Sequence, residues 1–318
     1  MSTAADGPRC AICLATDAGY LVPALVAAGQ ARRWSSPHLA DVVLLAFGLD
    51  RRALAAAEPV CAEAGVRLLP VPAGDPLMAR LLLDSLIPAQ FTEFLHLDCD
   101  VQVIASLDRL LAAPVPPGRI RAALDPMALL VRAGGRGGAR RQARMQAAGV
   151  AAANCADYFN AGVFHIAREA WAAIGAKALA LFQATPPGQP FPDQDALNIA
   201  AAGRVEPLSL AWNFPIFLRN AGLHRAIQPA ILHFMARPKP WQGSFPPWSA
   251  TETRPYADVL MRHPALADYL APMPRLRWLR YAVQQQVKRE LEALKWGRGR
   301  LRAVVLESED RVVMPANE

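Results

Sequence analysis

From residue 10 to residue 103 the chain alternates strand-like and helix-like runs, and this limits its fold more than any other feature. Residues 10–16, 41–47, 66–71 and 94–97 are short, β-branched or aliphatic strand runs. Residues 21–34, 51–64 and 76–86 between them carry helix-like patterns. Such βαβ alternation predicts an α/β protein whose mostly parallel sheet carries helices on both faces and binds ligands at the carboxyl ends of its strands. The 318 residues, 53% of them hydrophobic, suffice for one large α/β domain or two small ones. The last strand of the series runs into Asp98-Cys99-Asp100 before apolar residues resume at Val101. Carboxylates beside a core are costly unless paired, and hard divalent cations are the usual partner of such a pair. The same aspartates also fit an ordinary strand-end turn, so the pair alone leaves both readings open.

No stretch of eighteen residues is free of charge, which excludes an obvious transmembrane helix. The start of the chain is polar and the apolar stretch after it is broken by Asp17, unlike a signal peptide. Five cysteines form no framework. Cys10 and Cys13 are spaced as CxxC but fall in a strand, where positions i and i+3 face opposite ways, so a reducing, cytoplasmic setting fits best.

The net charge of +7 is concentrated in two places. Residues 275–302 carry a surplus of seven and residues 132–144 a surplus of five (Arg132, Arg136, Arg140, Arg141, Arg144), leaving −5 for the rest. Such patches attract phosphates. Residues 133–144 are also rich in glycine and read as a mobile loop followed by a short helix. Further on, 119–124 and 162–166 read as strands, and 169–182 and 193–202 as helices. Pro246, Pro247 and Pro255 mark a boundary near residue 250, dividing a main domain (9–250) from a C-terminal extension (251–318). In that extension Leu276, Leu279, Val283, Val287, Leu291 and Leu294 recur at helical spacing, flanked by Trp278, Tyr281 and Trp296 and by basic residues. A basic amphipathic helix of this kind predicts peripheral binding to an anionic membrane surface; the competing reading is a helix packed on the domain.

Four more segments stand in order around the aspartate pair: Leu14-Ala15-Thr16-Asp17-Ala18-Gly19-Tyr20, Tyr158-Phe159-Asn160-Ala161-Gly162-Val163, Phe191-Pro192-Asp193-Gln194-Asp195-Ala196-Leu197-Asn198, and Ile231 to Trp241 with His233 and Lys239. Together they resemble the set of glycosyltransferase family 8, which includes bacterial lipopolysaccharide galactosyl- and glucosyltransferases and glycogenin, over roughly residues 9–245. The resemblance implies a GT-A fold with one mixed, mostly parallel central sheet and a helical basic tail. It implies a UDP-sugar donor, Mn²⁺ (with Mg²⁺ as the alternative), and transfer of glucose or galactose with retention to a glycan or lipopolysaccharide-type acceptor. By position, Asp98, Asp100 and His233 match the metal ligands, and Lys239 the diphosphate-binding lysine. Asp17 and Tyr20 match the uridine contacts and Arg80 the arginine of the sugar-phosphate region. Asp125, Asn160, Asp193 and Gln194 match the donor-sugar lining, with Gln194 below the anomeric carbon. Gly19 departs from the pattern, since many members carry Asn there, which leaves room for an inactive nucleotide-sugar-binding scaffold. A haloacid dehalogenase-type phosphatase also uses Asp-x-Asp, but would place it on the first strand and would not have Gln102 two residues beyond. Nothing accompanies the basic tail that reads nucleic acid.

Overall fold

A computed structural model describes residues 8–312; residues 1–7, read above as part of a polar start, lie outside the described residues. The first half follows the expected alternation: β1 (Cys10–Thr16), α1 (Leu21–Arg33), β2 (Ala40–Phe47), α2 (Arg51–Ala64), β3 (Arg67–Val71), α3 (Leu83–Leu86), β4 (Glu93–Leu97) and β5 (Val101–Val103). Then come α4 (Asp108–Ala112), β6 (Ile120–Leu124), α5 (Pro126–Ala133), α6 (Gly135–Ala147), β7 (Phe159–Ala167), α7 (Arg168–Ala184) and α8 (Pro192–Ala200). The chain ends with β8 (Val205–Leu208), β9 (Phe214–Pro215), α9 (His224–Ile227), β10 (Ile231–His233), α10 (Ala250–Arg262), α11 (Arg275–Trp296) and α12 (Gly299–Glu309).

Seven strands form a mixed sheet in the order β3-β2-β1-β4-β7-β6-β8. All neighbours are parallel except β7, which runs antiparallel to both β4 and β6. Side chains alternate across the sheet. Cys10, Ile12 and Leu14 enter one core, whereas Ala11 and Cys13 enter the core on the other face. The two CxxC cysteines are therefore separated by the sheet, and all five cysteines are free and buried. The strand order reverses at β1: β2 and β3 extend to one side and β4 lies on the other. The carboxyl ends of β1 and β4 thus open a crevice between them, the place where ligands bind in open α/β sheets.

A second, three-stranded sheet, β5-β10-β9, is an addition that the sequence reading lacked. Its antiparallel register sets His233 opposite Val101, and the Phe234 amide donates to the Asp100 carbonyl at 2.9 Å. Two residues distant in sequence are thereby fixed beside the end of β4.

Three expectations need correction. The segment 76–86 is not one helix but a 3-10 turn, Pro76–Leu81, leading into α3. The Gly/Arg-rich run 133–144 is not a mobile loop but mostly the thirteen-residue helix α6. Its glycines serve packing: a Cβ at Gly138 would lie 2.5 Å from the Leu130 carbonyl oxygen of α5, and Gly134 and Gly135, at φ +75° and +68°, make the turn between the two helices. The tail is two helices, α11 and α12, separated at Gly297 to Arg298. Residues beyond 250 share the main core, through Tyr256, Val259, Leu266, Trp296, Val304 and Val305. Gln102 of β5 ties α10 in place by donating to the Glu252 carbonyl (2.7 Å) and the Tyr256 hydroxyl (3.1 Å).

Candidate active site

The aspartate pair leaves β4 at the crevice, and the chain brings cations to it from three directions. Asp98 Oδ1 accepts from Arg80 (2.6 Å) and lies 3.2 Å from His96 Nε2. Asp100 Oδ2 accepts from Lys239 at 2.5 Å. The remaining oxygens face His233: its Nε2 is 3.2 Å from Asp100 Oδ1 and 4.0 Å from Asp98 Oδ2. One ligand atom from each of Asp98, Asp100 and His233 lies within 4.8 Å of the others. Burial by itself would raise both carboxyls. Arg80 and His96 hold Asp98 below the usual carboxylate range, and His233 and Lys239 do the same for Asp100.

A hydrogen-bond chain fixes the imidazole. The Gly162 amide can only donate, so Asn160 Oδ1 must be its acceptor (3.0 Å). Asn213 Nδ2 then donates to the same oxygen (2.9 Å), which turns Asn213 Oδ1 toward His233 Nδ1 at 2.7 Å. His233 therefore donates through Nδ1 to Asn213, which leaves Nε2 facing the carboxylates, where its lone pair would be available to a bound metal. Gly162 is required by space: a Cβ there would sit 2.4 Å from His233 Cε1, 2.8 Å from Asp98 Oδ2 and 3.0 Å from Asn160 Oδ1. Two carboxylate oxygens and an imidazole lone pair converging on one point fit a divalent cation that accepts mixed oxygen and nitrogen ligands.

From Asn160 the same network continues to the other end of the site. Asn160 Nδ2 donates to Asp125 Oδ2 (3.0 Å) and Gln194 Oε1 (3.2 Å), and the Ala161 amide donates to Gln194 Oε1 (3.0 Å). The Ala161 amide fixes the orientation of the Gln194 amide, whose Nε2 donates to Asp125 Oδ2 at 3.2 Å. Arg80 spans the two ends, reaching Asp98 at 2.6 Å, Asp193 at 3.2 Å and the Ala161 carbonyl at 3.1 Å. Its burial would lower its pKa, but Asp98 and Asp193 together raise it. A cleft of about 320 Å³ lies between the turn after β1 and the aspartates, lined by Thr16, Asp17, Tyr20, Leu77, Arg80 and Asp100 among others. Asp17 caps the following turn, accepting from Gly19 (2.9 Å) and Tyr20 (3.1 Å) through Oδ1. The half-exposed Tyr20 ring meets Trp241 edge-on at 5.6 Å.

The structure therefore brings the candidate site residues to one edge of the sheet, formed by the carboxyl ends of β1, β4 and β6 and the amino end of the antiparallel β7. Sequence reasoning missed several others. His96 sits two residues before Asp98, a same-face strand spacing that could have revealed it; it stacks on Phe164 at 4.9 Å. Asn213 carries no local signal. Arg144 clamps Asp195 with two bonds (2.6 and 2.7 Å), and Tyr158 donates to the same carboxylate at 2.6 Å, so α6 holds the start of α8 in place. Phe191, just before α8, takes a left-handed backbone (φ +58°), rare for a bulky residue, and exposes its ring under the Arg144 guanidinium at 5.3 Å.

The model of the family described as "Glycosyl transferase family 8" matches residues 77–244, more than half of the chain, and spans most of this site. The chain belongs to glycosyltransferase family 8. As a member it is a glycosyltransferase, which sets aside the phosphatase reading. Family 8 enzymes typically depend on a divalent metal and a nucleotide sugar, and the Asp98, Asp100 and His233 group offers a place for the metal. Among solved structures, the chain is similar to the apo structure of the bifunctional glycosyltransferase WbbM (TM-score 0.65, 17% identity, 85% of this chain and 52% of that one). It therefore spans about half the length of WbbM. It is also similar to the galactosyltransferase LgtC in complex with donor and acceptor sugar analogs (TM-score 0.55, 20% identity, 85% of this chain and 99% of that one). GlyE of Streptococcus pneumoniae TIGR4 is a further neighbour (TM-score 0.54, 17% identity, 98% and 66%). At these identities the likenesses show the fold, a GT-A-like mixed sheet between helices. No curated protein sequence matches the chain.

Proposed function

We propose that this family 8 enzyme transfers glucose or galactose from a UDP-sugar to a glycan or lipopolysaccharide-type acceptor, with retention and with a divalent metal. The convergence of Asp98, Asp100 and His233 between Arg80 and Lys239 is the observation that carries the proposal. Those three side chains would hold the metal, and the imidazole among them favours Mn²⁺ over Mg²⁺. A divalent cation bound there supplies Lewis-acid stabilisation of the donor's diphosphate.

The chain's own residues account for the remaining steps. Arg80 and Lys239 stand on either side of the aspartates, where they neutralise the negative charge that gathers on the leaving diphosphate. Asp17 and Tyr20 line the cleft beside them and would take the uridine, Asp17 with the oxygen not used in its cap. At the sugar end, Asp125, Asn160 and Asp193 surround Gln194. The Gln194 amide is neutral, and its carbonyl oxygen already accepts two hydrogen bonds, which makes it a poor nucleophile. Asp193 is paired with Arg80. This favours attack by the acceptor hydroxyl on the face that UDP leaves, with the hydroxyl proton passing to the departing phosphate oxygen. The Gln194 dipole then supports the positive charge on the sugar. The completeness of this network argues for an active enzyme over an inactive scaffold.

The tail extends the proposal to an anionic membrane surface. Of the aromatic residues of α11, Trp278 stays partly exposed while its ring touches Phe245 (5.5 Å), whereas Tyr281 packs on Phe245 (6.3 Å) and Trp296 is buried against Phe217 (5.5 Å). They fix the helix to the domain and leave Leu276, Leu279, Val283, Val287, Leu291 and Leu294 exposed in one row beside basic residues. An exposed aliphatic row with a basic border suits an anionic interface. No helix of the described residues is long and apolar enough to cross a membrane.

Purified protein incubated with Mn²⁺ and a panel of UDP- and GDP-sugars tests the function. UDP-glucose or UDP-galactose should be hydrolysed slowly without acceptor. A preference for GDP-sugars, or a glycosyl adduct trapped on Gln194 or Asp193, overturns the donor or the mechanism.

A further inference from the structure

Most arginines of the domain are spent on acids or carbonyls: Arg80, Arg121, Arg132, Arg144, Arg168 and Arg219 all pair with carboxylates. Helix α6 carries a group of arginines that are not. Arg136, Arg140 and Arg141 are exposed, and none has an acidic partner among the described residues. Four-residue spacing places Arg136 and Arg140 on the same side of the helix as Arg144, with Arg136 about 12 Å along the axis from it. Arg144 is the residue that clamps Asp195, next to Gln194. The unpaired row is therefore tied rigidly to the helix that carries the sugar end of the site.

Arg140 and Arg141 are neighbours on this helix, and α6 contains no acidic residue. Like charges held together without an acid between them cost stability, and an anion offsets that cost. Guanidinium groups on a rigid helix suit phosphate, which they bind through paired hydrogen bonds.

We propose that Arg136, Arg140 and Arg141 of α6 bind a phosphate group carried by the acceptor, so that the natural acceptor is a phosphate-bearing glycan. The acceptor's hydroxyl reaches the Gln194 end of the site while its phosphate rests on α6. This rests on reading the crevice as the donor site, and it adds the chemical class of the second substrate.

The test uses the full-length protein and fully deacylated lipopolysaccharide core oligosaccharide, intact or with its phosphates removed by hydrogen fluoride. Affinities for both are measured by titration calorimetry at low salt. Wild type should bind the phosphorylated form at least about tenfold more tightly, as expected for one or more charge-assisted contacts. Arg140→Glu/Arg141→Glu, at exposed positions, should erase that difference, with Arg140→Gln/Arg141→Gln as a milder second variant and Arg140→Lys/Arg141→Lys restoring part of it. Slow hydrolysis of the UDP-sugar without acceptor should be unchanged in all three. Absence of hydrolysis in the wild type would count against the donor site, whereas the phosphate preference is read separately by binding. Equal binding of both oligosaccharides by the wild type, no binding of either, or a preference that survives charge reversal overturns the proposal. Loss of binding to phosphatidylglycerol vesicles with oligosaccharide binding intact also overturns it, because the row would then be a membrane contact.

Discussion

Gly162 shows how tightly single residues are fitted at this site. Its missing side chain leaves the space in which His233, Asp98 and Asn160 meet. Gly162→Ala forces a Cβ into contact distances that real structures do not tolerate, so the imidazole or the carboxylate must move. Overpacking of this kind costs about 1–3 kcal/mol. A thermal melt should register that loss, and Mn²⁺ affinity should fall with it; a variant with wild-type metal affinity contradicts the described packing. Asn213 acts at one remove. It fixes the His233 tautomer, and Asn213→Leu should weaken Mn²⁺ binding by about 10–100-fold, the usual effect of losing a residue that orients a metal ligand. The aspartates, Gln194 and Lys239 were legible because they fall in short motifs with little local purpose of their own. Asn213 was not, since its partners come from β7 and β10, and no sequence spacing reports a contact between such distant segments.

Among the elements, those with a strong period could be read and those without one could not. β1, β2, α2 and β4 stand within a residue or so of their expected limits, because core residues occupy both faces of each strand and Asp50 caps α2. β9 and β10, at two and three residues, are too short to carry a period, so the small sheet that positions His233 was not seen. α6 was misread because its glycines were taken for flexibility, whereas Gly138 allows the close approach of α5. For α11 the period was right and its meaning was divided: Tyr281 and Trp296 pack inward, and the aliphatic row is open. Leu279→Asp/Val283→Asp changes only exposed positions and should release the protein from phosphatidylglycerol vesicles while leaving its melting temperature within a few degrees. Undiminished vesicle sedimentation would contradict the membrane reading. Deleting residues 271–318 is a poorer test, since it also removes the buried Trp296, Val304 and Val305.

Across the whole molecule, one core joins the sheet to the helices after residue 250, and the site lies where the strand order reverses. That location followed from the βα alternation alone; the mixed character of the sheet, set by β7 lying between β4 and β6, matches the resemblance. The site also stores electrostatic stability. Asp98 and Asp100 are held below the usual carboxylate range in the folded state, so in the unfolded chain they take up protons at higher pH. Their contribution is present above the ordinary carboxylate pKa of about 4 and is lost progressively as pH falls from there through their lowered folded-state values. Metal-free protein should melt progressively lower from pH 6 to pH 3, and Asp100→Asn should flatten that slope; an unchanged slope removes this pair as a cause. The central claim is that the two aspartates and His233 form a metal-holding clamp for a nucleotide diphosphate. Titrating Mn²⁺ into the protein, with free ion followed by electron paramagnetic resonance in the presence and absence of UDP, tests it most directly. Wild type should bind one Mn²⁺ more tightly with UDP present, and Asp98→Asn and Asp100→Asn, still folded, should lose that binding. Equal binding by the wild type and both variants would contradict the account.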